Sequence, residues 1–243
     1  MKKIGIIGFG RFGKVLAQIL QKGFDTFVYD LNSKEQHDRV IFTSLENILK
    51  METIFICVPI RELKNVIQNI RLKLNLNTTI IDVCSVKLYP KEIMEKYLPE
   101  NIGYIASHPL FGPDSFSFNK NLKMMMSPEK DIYNVFEYWA DFFRGQGIEI
   151  INITPDMHDK LAANSQGITH FIGRSLTYFG AKRTIIDTKG FRSLLNLMEQ
   201  TCNDTKELYE DLQVYNPYTK EMIKKIKDSI YKQTEFLENS QND

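Results

Sequence analysis

The opening of this chain constrains its fold more than any other feature. The apolar run Ile4-Gly5-Ile6-Ile7 leads at once into Gly8-Phe9-Gly10-Arg11-Phe12-Gly13, and a helical pattern starts at Phe12. A strand that ends on GxGxxG and feeds directly into a helix is the first turn of a dinucleotide-binding βαβ unit. Gly8 permits the tight turn, and Gly10 lets the backbone approach a pyrophosphate. Gly13 lets the helix pack on the sheet, while the helix N-terminus favours phosphate charge. Phe9, Arg11 and Phe12 fill the intervening positions of the cradle. Asp30 ends the second apolar run, twenty residues after Gly10. An acid there takes both adenosine ribose hydroxyls and repels a 2′-phosphate, so NAD is the expected cofactor. Asn32, Ser33 and Lys34 follow and leave NADP open. Cys57-Val58-Pro59-Ile60 closes the fourth run, where Val58 and Pro59 lie along the cofactor or in the sheet core.

The alternation continues for about 150 residues. Strands are predicted over 3–7, 26–29, 40–42, 53–58, 79–83, 103–106, 123–126 and 149–152, and helices over 12–22, 45–49, 61–70, 90–97 and 131–144. Continuous apolar strands alternating with helices predict a mostly parallel sheet covered on both faces. After Asn152 strand patterns stop. Thr154-Pro155-Asp156 is a helix-start signal, and helices are predicted over 155–179, 189–210 and 219–237. The expected class is α/β: a Rossmann-type parallel-sheet domain over 1–152 and an all-helical domain over 153–243. In the last helix Met222, Ile223, Ile226, Ile230 and Leu237 form one apolar stripe. The stripe suits a helix docked on its own domain or one in a dimer interface.

Composition excludes several classes. Lys plus Arg is 31 and Asp plus Glu is 30, so the net charge is +1, without the basic surplus of a nucleic-acid binder. No stretch is long and apolar enough to span a bilayer, and the start lacks the apolar core of a signal peptide. Cys57, Cys84 and Cys202 form no CxxC, which points to reduced thiols, no disulfide framework, no zinc site and a cytoplasmic location.

Of the four histidines, His37 sits in a polar stretch and reads as a solvated surface residue. His108 lies in Ser107-His108-Pro109-Leu110-Phe111-Gly112-Pro113, after a strand and so at the carboxyl rim of the sheet, where open α/β sheets bind ligands. A loop pinned by two prolines and a glycine gives packing little use for an imidazole, so His108 is the candidate catalytic group. Upstream, in Asp82-Val83-Cys84-Ser85-Val86-Lys87, Ser85 reads as a helix cap or a site residue and Lys87 as a helix or phosphate contact. The string from His158-Asp159 to Asn164-Ser165-Gln166-Gly167-Ile168-Thr169-His170 continues to Arg174. Gln166, His170 and Arg174 step by four and share a helix face. An amide, an imidazole and a guanidinium together suit anion recognition. His158-Asp159, near the helix start, also reads as a helix cap.

Taken together these strings resemble the prephenate/arogenate dehydrogenase family of tyrosine biosynthesis, the plant-type arogenate dehydrogenases most of all. The resemblance runs over GFGRFG, DVCSVK, SHPLFGP, HDKLAANSQGITH, Asp187-Thr188-Lys189-Gly190-Phe191 and Val214-Tyr215-Asn216-Pro217, nearly the whole chain. It implies a Rossmann domain followed by a helical dimerisation domain, hence a homodimer. It also implies NAD(P)-dependent oxidative decarboxylation of a cyclohexadienol, with no nucleic-acid or membrane partner. His108 is then the base that takes the hydroxyl proton, and Ser85 hydrogen-bonds the same hydroxyl or orients the imidazole. Gln166, His170, Thr188 and Lys189 match positions near the substrate, with Arg174 a weaker candidate that suits an internal salt bridge as well. Many bacterial members carry His where this chain has Gln166; the plant type has Gln. Plant enzymes carry Ser in place of Asp30 and prefer NADP, so their cofactor does not transfer. In the plant type an acid at the position of Asp204 goes with arogenate and Asn with prephenate. A carboxylate there pairs with the arogenate ammonium and sits badly against a keto group. Arogenate is therefore the expected substrate and prephenate, giving 4-hydroxyphenylpyruvate, the alternative. Two rivals remain: another Rossmann reductase with a helical second domain, which has no need of SHPLFGP or SQGITH, and a catalytically inactive dinucleotide sensor, against which Ser85 and His108 argue.

Overall fold

The computed structural model describes residues 2–32, 40–118 and 121–240; the expectations for Ser33, Lys34 and His37 lie outside the described residues. The chain divides into two compact units, Met1–His158 and Asp159–Asp243.

The first unit is built on one eight-stranded sheet of order β3-β2-β1-β4-β5-β6-β7-β8. The strands are β1 Lys2–Ile7, β2 Phe24–Tyr29, β3 Ile41–Phe42, β4 Thr53–Ile56, β5 Thr79–Asp82, β6 Gly103–Pro109, β7 Leu122–Lys130 and β8 Ile148–Asn152. The helices are α1 Arg11–Leu20, α2 Leu45–Ile48, α3 Ile60–Ile70, α4 Leu88–Tyr97 and α5 Phe136–Gly145. The central strands read as unbroken apolar runs because both faces are covered: Ile54, Phe55, Ile56, Ile80 and Ile81 are fully buried. Every neighbouring pair is parallel except β6 and β7, so the sheet is mixed at that one junction. On one face Trp139 of α5, 1% exposed, packs 4.9 Å from Phe24 and 5.0 Å from Phe55 between ring centroids.

Of the predicted boundaries that move, three have a consequence or a clear cause. β4 stops at Ile56, so Cys57-Val58-Pro59 forms the turn into α3 rather than strand. β6 runs on through His108 to Pro109, paired antiparallel with β7 in the register His108↔Met125. His108 is therefore held by a sheet ladder and not by a loop. α5 starts at Phe136 and not at Asp131, because the Asp131 carboxylate accepts hydrogen bonds from the Val135 and Phe136 N–H groups and Asn134 adopts φ 53°.

The second unit is helical. α6 is Pro155–Ala162, whose first turns belong to the first unit; a π-helical turn follows over Ala163–Gly167, then α7 Ile168–Phe179, α8 Lys189–Cys202, α9 Lys206–Tyr215 and α10 Thr219–Ser240. The single helix predicted over 155–179 is thus interrupted. Asn164, Ser165 and Thr169 side chains bond the carbonyls of Lys160, Leu161 and Ser165, and the Gln213 amide donates to the Gly167 carbonyl at 3.0 Å. The helix predicted over 189–210 is two helices, because Thr205 caps α9 by accepting from the Leu208 N–H. α7 and α8 meet at Gly173, where a Cβ would stand 2.0 Å from the Thr201 hydroxyl oxygen. Along α10 only the start of the apolar stripe is covered: Met222 is 2% exposed, Ile230 57% and Leu237 51%. Among the described residues no helix is long and apolar enough to cross a membrane.

Candidate active site

The glycine cradle has the shape the sequence asks for. Gly8 sits at φ +99°, and a Cβ there would meet the Cys57 carbonyl oxygen at 2.5 Å; a Cβ on Gly13 would meet the Gly8 carbonyl oxygen at 2.5 Å. Nothing lies within 4 Å of a Cβ built on Gly10. Gly10 is the N-cap of α1 and offers no side-chain cap. The start of α1 therefore has no side-chain cap and carries the positive end of the helix dipole, and a pyrophosphate fits there.

The residues between the glycines divide their tasks. The Phe9 ring is core, 3% exposed and edge-on to Phe42, so only its backbone serves the turn. Its N–H donates to one Asp30 carboxylate oxygen at 2.6 Å, and the Asn32 N–H donates to the other at 2.8 Å. Asp30 thus braces the turn at the end of β2. Arg11 makes a two-pronged ion pair with Asp114 at 2.7 and 2.8 Å. Beside it the Phe12 ring stands 6.1 Å from that of Phe111. Val58 is half-buried against Gly8, and exposed Pro59 caps α3.

At the carboxyl ends of β5 and β6 a buried polar network holds the catalytic candidates. Lys87, fully buried, ion-pairs with Asp82, also fully buried, and donates to the Ser107 carbonyl. Asp82 also accepts from the Tyr104 hydroxyl at 2.8 Å and from the Cys84 N–H at 3.0 Å, and its carbonyl accepts from the Ser107 hydroxyl at 2.6 Å. Lys87 is therefore a brace between the two strands and not a phosphate contact. Burial, and then Asp82, push the Cys57 and Cys84 thiols up, so neither is a ready nucleophile.

His108, 7% exposed, places Nδ1 2.8 Å from Nε2 of His158, itself 3% exposed. His158 is not the helix cap; the Thr154 hydroxyl takes that role, accepting from the Met157 N–H. Burial first, then His158 and Lys87, hold His108 well below the ordinary imidazole value. The Ser85 hydroxyl is buried with no hydrogen-bond partner among the described residues, an unmet demand that a ligand hydroxyl answers.

In the helical unit three of the expected residues come together. The Arg174 guanidinium donates to the Asp204 carbonyl at 2.6 Å and lies over the Tyr209 ring, and His170 Nε2 is 3.9 Å from the Asp204 carboxylate. His170 Nδ1 and Arg174 Nε are buried, with no hydrogen-bond partner among the described residues. Burial lowers the His170 pKa, Asp204 opposes that and Arg174 adds to it. Gln166 lies in the π-turn, half-buried. Thr188 and Lys189 stand apart at the exposed start of α8, where the Thr188 hydroxyl accepts from the Phe191 N–H. Arg174 bonds a carbonyl there, not the carboxylate of an internal salt bridge. Sequence reasoning missed His158 and Asp82; the only hint was that both lie in the strings that carry the family resemblance. Among the described residues no group of three or more His, Cys, Asp or Glu side chains could hold a metal ion.

Comparison with known proteins bears on the fold and the family. Residues 175–243 match the TYRAAT1-like C-terminal domain. Arogenate dehydrogenase 1, chloroplastic, of Arabidopsis thaliana is 32% identical over 92% of this chain and 38% of its own length. Arogenate dehydrogenase 2, chloroplastic, of the same plant is 28% identical over 92% of this chain and 66% of its length. The chain thus spans less than two thirds of either relative. The crystal structure of prephenate dehydrogenase from A. aeolicus, in complex with hydroxyphenyl propionate and NAD+, superposes with a TM-score of 0.79 at 16% identity, covering 100% of this chain and 93% of that one. Residues 24–152, more than half of the chain, match the nucleotide-binding domain of prephenate dehydrogenase, and the chain belongs to that family.

Proposed function

We propose that this protein is an NAD(P)-dependent arogenate/prephenate dehydrogenase of tyrosine biosynthesis. It oxidatively decarboxylates a cyclohexadienol to an aromatic product, with arogenate, giving tyrosine, as the favoured substrate. The observation that carries the reading is His108: its Nδ1 is engaged by His158, its Nε2 has no partner among the described residues, and it stands at the carboxyl rim of a sheet whose first turn is a glycine cradle.

Bound at the cradle, the dinucleotide supplies the acceptor for the hydrogen and two electrons that leave the hydroxyl-bearing ring carbon. His108 takes the hydroxyl proton as the hydrogen leaves, the opposite ring carboxylate departs as CO2 and its electron pair passes through the ring to the oxygen, and His108 returns the proton there, so charge and electrons balance as the ring becomes aromatic. Because burial and two neighbours disfavour its protonated form, His108 is neutral at pH 7, as a general base must be. Ser85 donates to, or accepts from, the same hydroxyl. His170, Arg174 and Gln166, with Thr188 and Lys189, supply donors for the substrate carboxylates.

The cofactor is NAD, on the strength of the Asp30 carboxylate at the end of β2. Asp30→Ser removes the charge that repels a 2′-phosphate, and the ratio of kcat/KM for NAD over NADP is expected to fall at least about tenfold. An unchanged ratio, read from steady-state kinetics with each cofactor, would show that Asp30 only braces the turn.

Asp204 sets the substrate. Its carboxylate pairs with the side-chain ammonium of arogenate, and loss of a partly desolvated pair costs about 2 kcal/mol or more. Asp204→Asn is expected to lower kcat/KM for arogenate relative to prephenate at least about tenfold. The test of the function itself is NADH formation by the wild type with each substrate. No reduction with either would refute the reading, and a substrate preference unmoved by Asp204→Asn would refute the assignment of Asp204.

The partner is a second copy of the chain. Ile230, Tyr231, Phe236 and Leu237 of α10 are all more than half exposed, an apolar load that suits an interface. We assign the protein to the cytoplasm on its three free thiols alone.

A further inference from the structure

We propose that His158 is the positioning residue of the base: it accepts the Nδ1–H of His108 and thereby fixes the tautomer whose Nε2 carries the lone pair. The inference rests on the reading of His108 as the proton acceptor.

The geometry leaves few choices. The two rings meet edge to face, with centroids 5.0 Å apart and planes at 76°, and the nitrogens are 2.8 Å apart. At that distance the two facing nitrogens share one proton, so one donates and the other offers its lone pair. Either His108 Nδ1–H donates to His158, or His158 Nε2–H donates to His108. In the second arrangement the remaining proton of His108 sits on Nε2, and no basic nitrogen is left to meet a substrate hydroxyl. In the first arrangement Nε2 is the lone pair. When it takes a proton, His108 becomes an imidazolium that already donates through Nδ1, and the contact turns into a charge-assisted hydrogen bond. The second arrangement gives no such continuity: a protonated His108 would set two donors against each other.

Both rings are held by their backbones. His108 is fixed by the β6–β7 ladder, and the preceding Ser107 is tied to Asp82 and Lys87. The His158 N–H donates to the Thr154 carbonyl at 2.9 Å within α6. The contact joins residues fifty apart in sequence. The groups that act electrostatically on His108 are His158 and Lys87. Lys87 is a cation locked on Asp82 and cannot accept a proton from His108. His158 is the acceptor available to Nδ1.

The role is that of an orienting partner, as in nucleophile–base–orienter arrangements. It makes two side chains non-equivalent. Gln offers an acceptor oxygen at a similar reach, so His158→Gln keeps the tautomer, whereas His158→Leu cannot. His158→Leu is expected to lower kcat about 100-fold, with the dissociation constant for NAD unchanged within twofold. His158→Gln is expected to stay within about tenfold of wild type, a rescue that mere space-filling would not give, since Leu fills the space too. Nitrogen-15 NMR of the full-length wild type, which needs no turnover and no variant that folds, is expected to find the His108 proton on Nδ1. A wild-type proton on Nε2, or equal losses in the Leu and Gln variants, would overturn the proposal. Full turnover in His108→Asn would instead overturn the reading of the base, with the tautomer measured independently.

Discussion

His108→Asn is expected to lower kcat by about 10³-fold, a loss within the range for removing a positioned general base, while leaving NAD affinity within twofold of wild type. Asn keeps a side chain of similar size and polarity at the His108↔Met125 position of the β6–β7 ladder, so the sheet has no reason to move. The dinucleotide cradle is built from Gly8, Gly10, Gly13 and the start of α1, none of which hydrogen-bonds His108. The loss should therefore fall on turnover and not on cofactor binding. Fluorescence titration with NAD and initial-rate measurements separate the two. A variant that turns over normally would remove His108 from the chemistry; one that no longer binds NAD would make it a structural residue.

The second large effect belongs to stability. Lys87→Met is expected to destabilise the sheet unit by about 3–5 kcal/mol. The Asp82 carboxylate is fully buried, and without Lys87 it keeps neutral donors, the Tyr104 hydroxyl and the Cys84 N–H among them. A buried charge stripped of its counter-ion costs far more than the pair contributes over an apolar substitute. In a unit of this size that is a fall in melting temperature of roughly 6–20 °C. Adding Asp82→Asn removes the charge yet leaves an acceptor for Tyr104 and Cys84, so the double variant should recover most of the loss. Calorimetry of the wild type, the single variant and the double variant checks both halves. A single-variant cost under about 1 kcal/mol would mean that water reaches Asp82.

Much of this was legible in the sequence, for a physical reason. A parallel strand buried on both faces must be continuously apolar, so Thr53 to Ile56 and Thr79 to Asp82 announce themselves. The glycines at 8 and 13 each answer a local steric demand that one residue type meets, and the structure shows both close approaches. What stayed hidden depends on contacts distant in sequence. Nothing local says that Lys87 is buried, since its partner Asp82 is recognisable only once β5 and β6 lie side by side. The His108–His158 pair is invisible for the same reason. The break between α8 and α9 was a different kind of miss: Asn203-Asp204-Thr205 carries an N-cap residue, and the apolar periodicity on either side masked it. The π-turn leaves no periodic trace, because Gln166, His170 and Arg174 keep their spacing of four in sequence whether or not one turn is widened.

The central claim is that His108 acts beside a bound dinucleotide, and a crystal structure of the protein with NAD tests it most directly. A ring that hands its hydrogen to the nicotinamide across about 3.5 Å and its hydroxyl proton to an imidazole across about 3 Å ties the two groups together. The nicotinamide C4 is expected within about 8 Å of His108 Nε2, by adding those reaches and one carbon–oxygen bond. A nicotinamide ordered on the far side of β1, or turned so that C4 points away from His108, would contradict the account.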